Sequence, residues 1–213
     1  MLGRPAEFRY GAVFSLTLLV VVWLVLAPSD DWSRAVAFAL ESAALMVVVA
    51  TSRARPETRR VRTGAGVLVA ASFVTAVAAG LLPHWAVSAA GGLLSVAIPL
   101  ALVGGLLRLV RTHGVTLQAV AGSLAIYLLL GLVFGWAVAV AAHFDPAPYF
   151  ATGTDGTQSA DVYFSFTVLT TTGFGDLTAA SPVGRALAVV EMLVGQLYLV
   201  TVIGVLVGSF GRR

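Results

Sequence analysis

Six long apolar stretches, separated by short polar or charged breaks, occupy most of the chain. A helix needs ~20 residues to cross a hydrocarbon core of about 30 Å, and each stretch approaches or exceeds that length. The pattern therefore predicts an all-α integral membrane protein with six transmembrane helices. The predicted spans are residues 11–27, 32–50, 64–82, 85–107, 116–142 and 183–210. The first four form a separate N-terminal transmembrane block, residues 1–113.

Composition supports a lipid environment. The 213 residues are 59% hydrophobic and only 11% charged, which leaves too little polar surface to cover a water-soluble globule. Cysteine is absent, so neither a disulfide framework nor a thiolate metal site can form.

The arginines predict the orientation of the spans, because short arginine-rich loops stay on the cytoplasmic side. With a cytoplasmic N-terminus, all of the 13 basic residues except Arg34 and Arg185 lie on the inner side. Both termini are then cytoplasmic, and the long segment 143–182 opens on the outer face. An alternative is that the first apolar stretch, preceded by Arg4 and Arg9, is a cleaved signal peptide, which would leave five spans.

The segment between the fifth and sixth spans contains a short predicted helix. A turret rich in Gly, Pro and Asp is followed by Ser159, a candidate N-cap, by Asp161 in the first turn, and by the mainly apolar residues 162–169. About three helical turns are too few to cross the membrane. We therefore expect a re-entrant helix that enters from outside and ends near Thr170, with its negative dipole end towards the membrane interior.

Next comes the sequence TTTGFGD at residues 170–176. Non-helical backbone at membrane depth must be buried in protein or line water. Glycines at alternate positions allow backbone angles at which successive carbonyls turn to the same side. Such a column of carbonyl oxygens, continued by the Thr171 hydroxyl, can replace the hydration shell of a cation. One chain supplies one wall of the column, so a cyclic homo-oligomer with four copies is expected.

TTTGFGD, with the preceding YFSF and the following SPVGRALAVVEMLVGQLYLVTVIGVLVG, resembles the potassium channel pore module of the pore-loop cation channel family. The resemblance covers roughly residues 116–210 and implies a pore domain at 114–213 with an outer helix, pore helix, filter and inner helix. It implies a selectivity filter of Thr171, Thr172, Gly173, Phe174 and Gly175, braced from behind by Asp176, with K⁺ bound at Thr171, Thr172, Gly173 and Phe174.

The resemblance also implies roles for the inner helix. Gly195 matches a gating hinge, and one helical face below it, formed by Gln196, Leu199 and Ile203, would line a water-filled cavity. The six-span layout resembles bacterial channels, but without a charged voltage sensor. Span four contains no arginine before Arg108 at its cytoplasmic end, so we expect weak voltage dependence.

The filter departs from the usual family pattern. Thr172 stands where valine is usual, and Phe174 replaces a tyrosine that would donate a hydrogen bond to an aromatic cuff, here Tyr163 and Phe164. Thr167 occupies the place where many bacterial relatives have a pore-helix carboxylate. These three cuff and pore-helix residues are the expected filter support, and we predict altered inactivation with selectivity retained.

Glu41 and Glu191 lie inside predicted spans, where ionisable groups are costly. We expect each to be protonated or paired within the bundle, and Glu191 to face protein instead of the cavity, because it lies about 140° around the helix from Gln196. An intramembrane enzyme that uses either carboxylate is a rival hypothesis. No nucleophile and base at usable spacing accompany them, so no enzymatic activity is expected.

The sequence therefore predicts a homotetrameric, potassium-selective channel that conducts K⁺ passively across the cell membrane. Its expected partners are membrane lipid and K⁺, without nucleic acid and without a cofactor other than the permeant ion. No attached ligand-binding domain is expected. Two alternatives are a non-selective cation channel and a non-conducting channel subunit.

Overall fold

A computed structural model describes the protein at residues 10–28, 30, 32, 33, 36, 37, 39–41, 43, 44, 47 and 84–209. The helices are α1 (Tyr10–Leu26), α2 (His84–His113), α3 (Leu117–Phe144), α4 (Gln158–Leu169), α5 (Pro182–Leu197) and α6 (Gly204–Ser209). A π-helical segment, Tyr198–Ile203, joins α5 to α6 without a break. All described residues between 32 and 47 are also helical.

The predicted helical class is confirmed for the described residues, which contain no β-strand and only one isolated bridge, between Phe150 and Ala179. Three helices there are long and apolar enough to cross a membrane, at Gly91–His113, Leu117–Phe144 and Pro182–Ser209. Helix α1 is apolar but has only 17 residues. The predicted span at 64–82 lies outside the described residues, as does about half of the span at 32–50.

Local sequence signals set several helix ends. The Thr116 hydroxyl accepts a hydrogen bond from the Ala119 amide and so caps α3. Ser181 caps α5 in the same way, through the Gly184 amide, and Pro182 follows it at the first helical position. Proline suits that position because its missing N–H would have no partner within the helix.

Helix α3 is the centre of the fold, because α1, α2, α4 and α5 all pack against it. Its side chains Leu129 and Leu132 are buried in one apolar core with Val13 of α1 and with Ile98 and Leu102 of α2. Small residues allow these close approaches. For example, a Cβ at Gly91 would lie 2.6 Å from the Trp136 ring.

By contrast, α5 and the π segment leave much apolar surface uncovered within one chain. Val183 is 68% exposed, Leu197 is 62% exposed and Val200 is 71% exposed. An apolar surface of this kind must meet lipid or another protein surface, because leaving it in water would be unfavourable.

Candidate functional site

The short helix α4 begins with a cap that differs from the predicted one. Thr157, and not Ser159, is the N-cap, and its hydroxyl accepts a hydrogen bond from the Ala160 amide. The prediction for Ser159 is therefore wrong. The Ser159 hydroxyl instead donates to the Val25 carbonyl at 2.7 Å and ties α4 to α1. Asp161 lies in the first turn, as predicted, and is buried.

The C-terminal end of α4 holds the start of the TTTGFGD segment. The Thr167 carbonyl accepts hydrogen bonds from the amides of Thr172, at 2.9 Å, and Gly173, at 3.1 Å. The Thr167 hydroxyl donates to the Phe164 carbonyl and remains within the helix. Thr167 thus contacts the predicted filter through its backbone, and any residue type could supply that carbonyl.

The backbone of the segment takes left-handed angles at alternate residues. The φ values are 56° at Thr171, 52° at Gly173 and 83° at Gly175. A Cβ at either glycine would meet no atom within 4 Å, so φ and not space is the local reason for glycine there. Thr171 is β-branched, and holding it at positive φ costs about 1–3 kcal/mol, a strain that concentrates at functional sites.

Hydroxyl groups cluster at the base of this segment. The Thr170 hydroxyl donates to the Phe166 carbonyl at 2.7 Å, and the Thr170 and Thr172 hydroxyl oxygens lie 2.8 Å apart. The Gln196 amide donates to the Thr171 hydroxyl oxygen at 3.3 Å. The structure therefore brings together Thr171, predicted for the filter, and Gln196, predicted for the cavity.

Only one of the two predicted cuff residues lies beside Phe174 of the predicted filter. Tyr163 stacks on Phe174 with ring centroids 6.4 Å apart and planes 4° apart. The Asp176 carboxylate interacts electrostatically with the Tyr163 hydroxyl. Phe164 instead packs edge-on against Phe150, with ring centroids 5.3 Å apart, in the loop after α3.

That loop also forms hydrogen bonds with the chain that follows TTTGFGD. The Ala180 amide donates to the Tyr149 carbonyl, and the Ala151 amide donates to the Thr178 carbonyl, both at 2.8 Å. The Tyr149 hydroxyl reaches the Gly184 carbonyl at the start of α5, at 3.5 Å. Burial raises the pKa of Tyr149, so its phenol remains a donor.

The start of the TTTGFGD segment, called the filter segment below after its predicted role, is packed against α5 and α3. Gly195 is buried, and a Cβ there would overlap the carbonyl oxygen of Leu169. The same oxygen accepts a hydrogen bond from the Tyr127 hydroxyl at 3.2 Å. The Tyr127 ring stacks on Tyr198, and the Tyr198 hydroxyl donates to the Ser123 carbonyl at 2.7 Å. These contacts join three helices just below the filter segment.

Residues 123–211 match a family model described as an ion channel. The match runs from within α3, through α4 and TTTGFGD, to two residues beyond the end of α6. The match supports a pore-loop channel module in this segment, which is called the channel domain below. Neither a curated protein nor a solved structure matches the chain.

The inner helix of the channel domain, formed by α5, the π segment and α6, contains the other predicted pore residues. Leu199 and Ile203 lie in the π segment and are half-buried within one chain. The Gly204 amide donates to the Leu199 carbonyl five residues earlier, which is the π-helical pattern. The α-helical spacing that placed these two side chains on one face with Gln196 therefore does not hold through this segment.

The prediction that Glu191 faces protein is confirmed, because its side chain is fully buried in the channel domain. Glu41 is also buried, and it accepts a hydrogen bond from Ser95 of α2 at 3.2 Å. Sequence reasoning did not identify Ser165, Tyr127 or Tyr198. The available signal for Ser165 was a polar side chain flanked by apolar residues in a predicted helix. Its partner Glu191 lies 26 residues away, so the sequence did not indicate their contact.

Proposed function

We propose that the protein is a potassium-selective channel in which four copies surround one pore and K⁺ moves passively down its gradient. The observation that carries this proposal is the alternation of left-handed backbone angles at Thr171, Gly173 and Gly175, directly after a short helix. The alternation favours a backbone whose carbonyls turn towards one side.

The chemistry required of such a filter is the exchange of water for protein oxygens. An ion that leaves its hydration shell needs several oxygen ligands at once, and rings of backbone carbonyls can supply them. The carbonyls of Thr171, Thr172, Gly173 and Phe174, with the Thr171 hydroxyl, are the proposed ligands. One chain has one such segment, so a closed ring requires a cyclic assembly, and four copies is the proposed number.

We place the channel in the cell membrane with six spans, both termini cytoplasmic and α4 as a re-entrant pore helix. The 12 residues of α4 are too few to cross a bilayer, and its C-terminus leads directly into the filter segment. Residues 1–113 would form the peripheral block and residues 114–213 the pore domain. The weak voltage dependence expected from span four belongs to the same proposal.

The gate would lie in the inner helix, below the predicted hinge Gly195. Two observations support this location. Above Tyr198 the inner helix is held by contacts with Leu169 and Thr171. From Tyr198 onwards the backbone is π-helical, and sharp bends in helices often occur at such segments. Gln196, Leu199 and Ile203 remain the proposed cavity lining.

A recording of the purified protein in a lipid bilayer, with unequal K⁺ and Na⁺ on the two sides, tests the proposal. We expect the current to reverse close to the K⁺ equilibrium potential. A reversal potential near 0 mV under mirrored K⁺ and Na⁺ would indicate a non-selective cation channel. Absence of current together with absence of rubidium uptake into vesicles would indicate a non-conducting subunit.

A further inference from the structure

A buried hydrogen-bonded contact joins the three helices of the channel domain behind the filter. The Ser165 hydroxyl oxygen, on α4, lies 2.6 Å from the Gly131 carbonyl oxygen of α3 and 2.5 Å from Glu191 Oε1 of α5. Ser165 and Glu191 are both fully buried. Both distances lie in the range of O–H···O hydrogen bonds.

The number of available protons decides the state of this contact. A serine hydroxyl has one hydrogen and can donate to only one oxygen. If Glu191 were a carboxylate, one of the two short contacts would bring two lone-pair oxygens together without a hydrogen between them. If Glu191 is a carboxylic acid, it donates to Ser165, and Ser165 donates to Gly131. Every short contact then contains one hydrogen.

The surroundings favour the same state. Within the described residues, no arginine or lysine forms an ion pair with Glu191, and Oε2 accepts no hydrogen bond. A buried carboxylate without a cation or a full set of donors is strongly disfavoured, whereas a neutral acid tolerates this environment. Among the described residues, Tyr127 of α3 and Tyr149 of the loop after α3 interact electrostatically with Glu191, and neither is a cation at any pH.

The contact also lies close to the residue whose carbonyl anchors the filter segment. Ser165 precedes by two residues Thr167, whose carbonyl holds the amides of Thr172 and Gly173. Helix α4 lies so close to α3 here that a Cβ at Gly131 would be 2.6 Å from the Phe166 ring. A shift of α4 by a fraction of an ångström would therefore move the carbonyl that anchors the filter segment.

We propose that Glu191 is a positioning residue for ion selectivity, held as a neutral carboxylic acid that donates its proton to Ser165. The Glu191–Ser165–Gly131 chain of hydrogen bonds joins the inner helix, the pore helix and the outer helix. It thereby fixes the position of the filter segment relative to these three helices. The role in selectivity rests on the proposed potassium channel function. The protonation state does not.

Infrared spectroscopy of the full-length protein in vesicles tests the protonation state. The difference spectrum of wild type minus Glu191→Gln should show the carbonyl stretch of one protonated carboxylic acid. Glu41 is a second buried carboxyl group, and Glu41→Gln should remove a separate signal without affecting that difference. A carboxylate signal in place of the acid signal would overturn the proposal.

The role in positioning is tested by the K⁺ over Na⁺ permeability ratio and by the rate of inactivation. Glu191→Gln keeps a donor of the same shape, so both quantities should stay within about twofold of wild type. Glu191→Leu and Ser165→Ala should each change the inactivation rate by roughly tenfold, the effect of one lost buried hydrogen bond. The double variant should add little, because both substitutions break the same chain.

The outcomes separate this inference from the proposed function. If Glu191→Gln behaves like Glu191→Leu, the ionised carboxylate is required and the inference is wrong. If all three variants conduct and inactivate like wild type, Glu191 does not position the filter. If wild type itself passes no K⁺ current, the proposed function and the role in selectivity fail, while the infrared difference still decides the protonation state.

Discussion

At the scale of single residues, backbone angle alone explains the two glycines of the proposed filter. Gly173 has a φ of 52° and open space where a Cβ would be. Gly153, in the outer loop, has a φ of 83° and equally open space. The two positions differ in location and not in local geometry, which makes them a matched pair.

Gly173→Ala should abolish K⁺-selective current, because alanine disfavours positive φ and would turn the neighbouring carbonyls. Gly153→Ala should impose a similar strain, about 1 kcal/mol, and leave the permeability ratio unchanged. Bilayer recording of both variants measures this. Unchanged selectivity in Gly173→Ala would contradict the filter assignment.

Thr172 offers a second test at this scale, because the hydrogens of two hydroxyl groups can be assigned. Thr170 donates to the Phe166 carbonyl, so Thr172 is the donor in the 2.8 Å contact between the two threonines. Thr172→Val has nearly the same shape and lacks this donor. We expect the K⁺ over Na⁺ ratio to stay within about twofold and inactivation to accelerate roughly fivefold, the effect of ~1 kcal/mol.

A matched threonine pair serves as the control. Thr152 and Thr154 in the outer loop also have hydroxyl oxygens in hydrogen-bond range, at 3.3 Å, but outside the filter segment. Thr154→Val should leave inactivation unchanged. Loss of selectivity in Thr172→Val would show that the hydroxyl, and not only the backbone carbonyl, takes part in ion binding.

At the scale of helices, Gly195 has a packing role that its predicted role as a hinge does not require. A Cβ at residue 195 would overlap the Leu169 carbonyl and lie 2.9 Å from Leu169 Cδ1. Backbone cannot move aside as a flexible side chain can, so either α5 or the end of α4 must shift.

We expect Gly195→Ala to lower the free energy of unfolding by about 1–3 kcal/mol and to reduce K⁺ over Na⁺ selectivity. Gly204→Ala is the control, because its Cβ would meet only the Leu199 carbonyl, at an ordinary 3.6 Å. Thermal unfolding and ion-substitution recordings measure the two effects. If Gly195→Ala altered only the open probability, residue 195 would be a hinge and not a packing site.

The π segment allows a test by deletion. A π turn contains one residue more than the α turn that it replaces, so removing one residue restores α-helix and keeps the following side chains on their original faces. Val200 is 71% exposed within one chain, so few contacts are lost with it. Deletion of Val200 should preserve assembly and change the open probability, read from single-channel records.

Deletion of Val190, in the regular part of α5, is the matched control. Val190 is also about half exposed, at 51%. Removing it rotates every later residue, including Glu191, by about 100° around the helix axis relative to the residues before the deletion. Glu191 would then no longer face the residues that surround it in the wild-type protein. This variant should fail to assemble. Equal behaviour of the two deletions would mean that the π segment has no special role.

The sequence predicted the elements better than their contacts. The bounds of α3, the start of α5 and the end of α4 near Thr170 followed from apolar length and flanking polar residues. The cap of α4 was misassigned because Thr157 and Ser159 are equally suitable by type, and a contact with α1 occupies Ser159. The π segment has an ordinary apolar sequence, so no periodic signal marks it. Contacts such as Tyr127 with Leu169 join residues far apart in the chain, and one sequence does not reveal them.

At the scale of the whole molecule, one chain leaves an apolar surface that the proposed assembly would partly cover. Leu193 is 58% exposed and Leu197 is 62% exposed, and both lie on α5, the first part of the inner helix. Phe174 is 69% exposed although it belongs to the filter segment. Neighbouring copies around an axis would cover such side chains, whereas a single copy would leave the filter phenylalanine uncovered.

Mixing subunits counts the copies that share one filter. If every copy contributes one wall, a single Gly173→Ala subunit disables the whole pore, and only assemblies of wild-type chains conduct. At equal expression of the two forms, a random tetramer then retains roughly one sixteenth of the current, a trimer about one eighth and a dimer about one quarter. Co-expression of wild type with Gly153→Ala should leave the current intact, which controls for expression and membrane insertion. A residual current near one half would mean that each chain conducts by itself, and the shared filter of carbonyl rings would have to be abandoned.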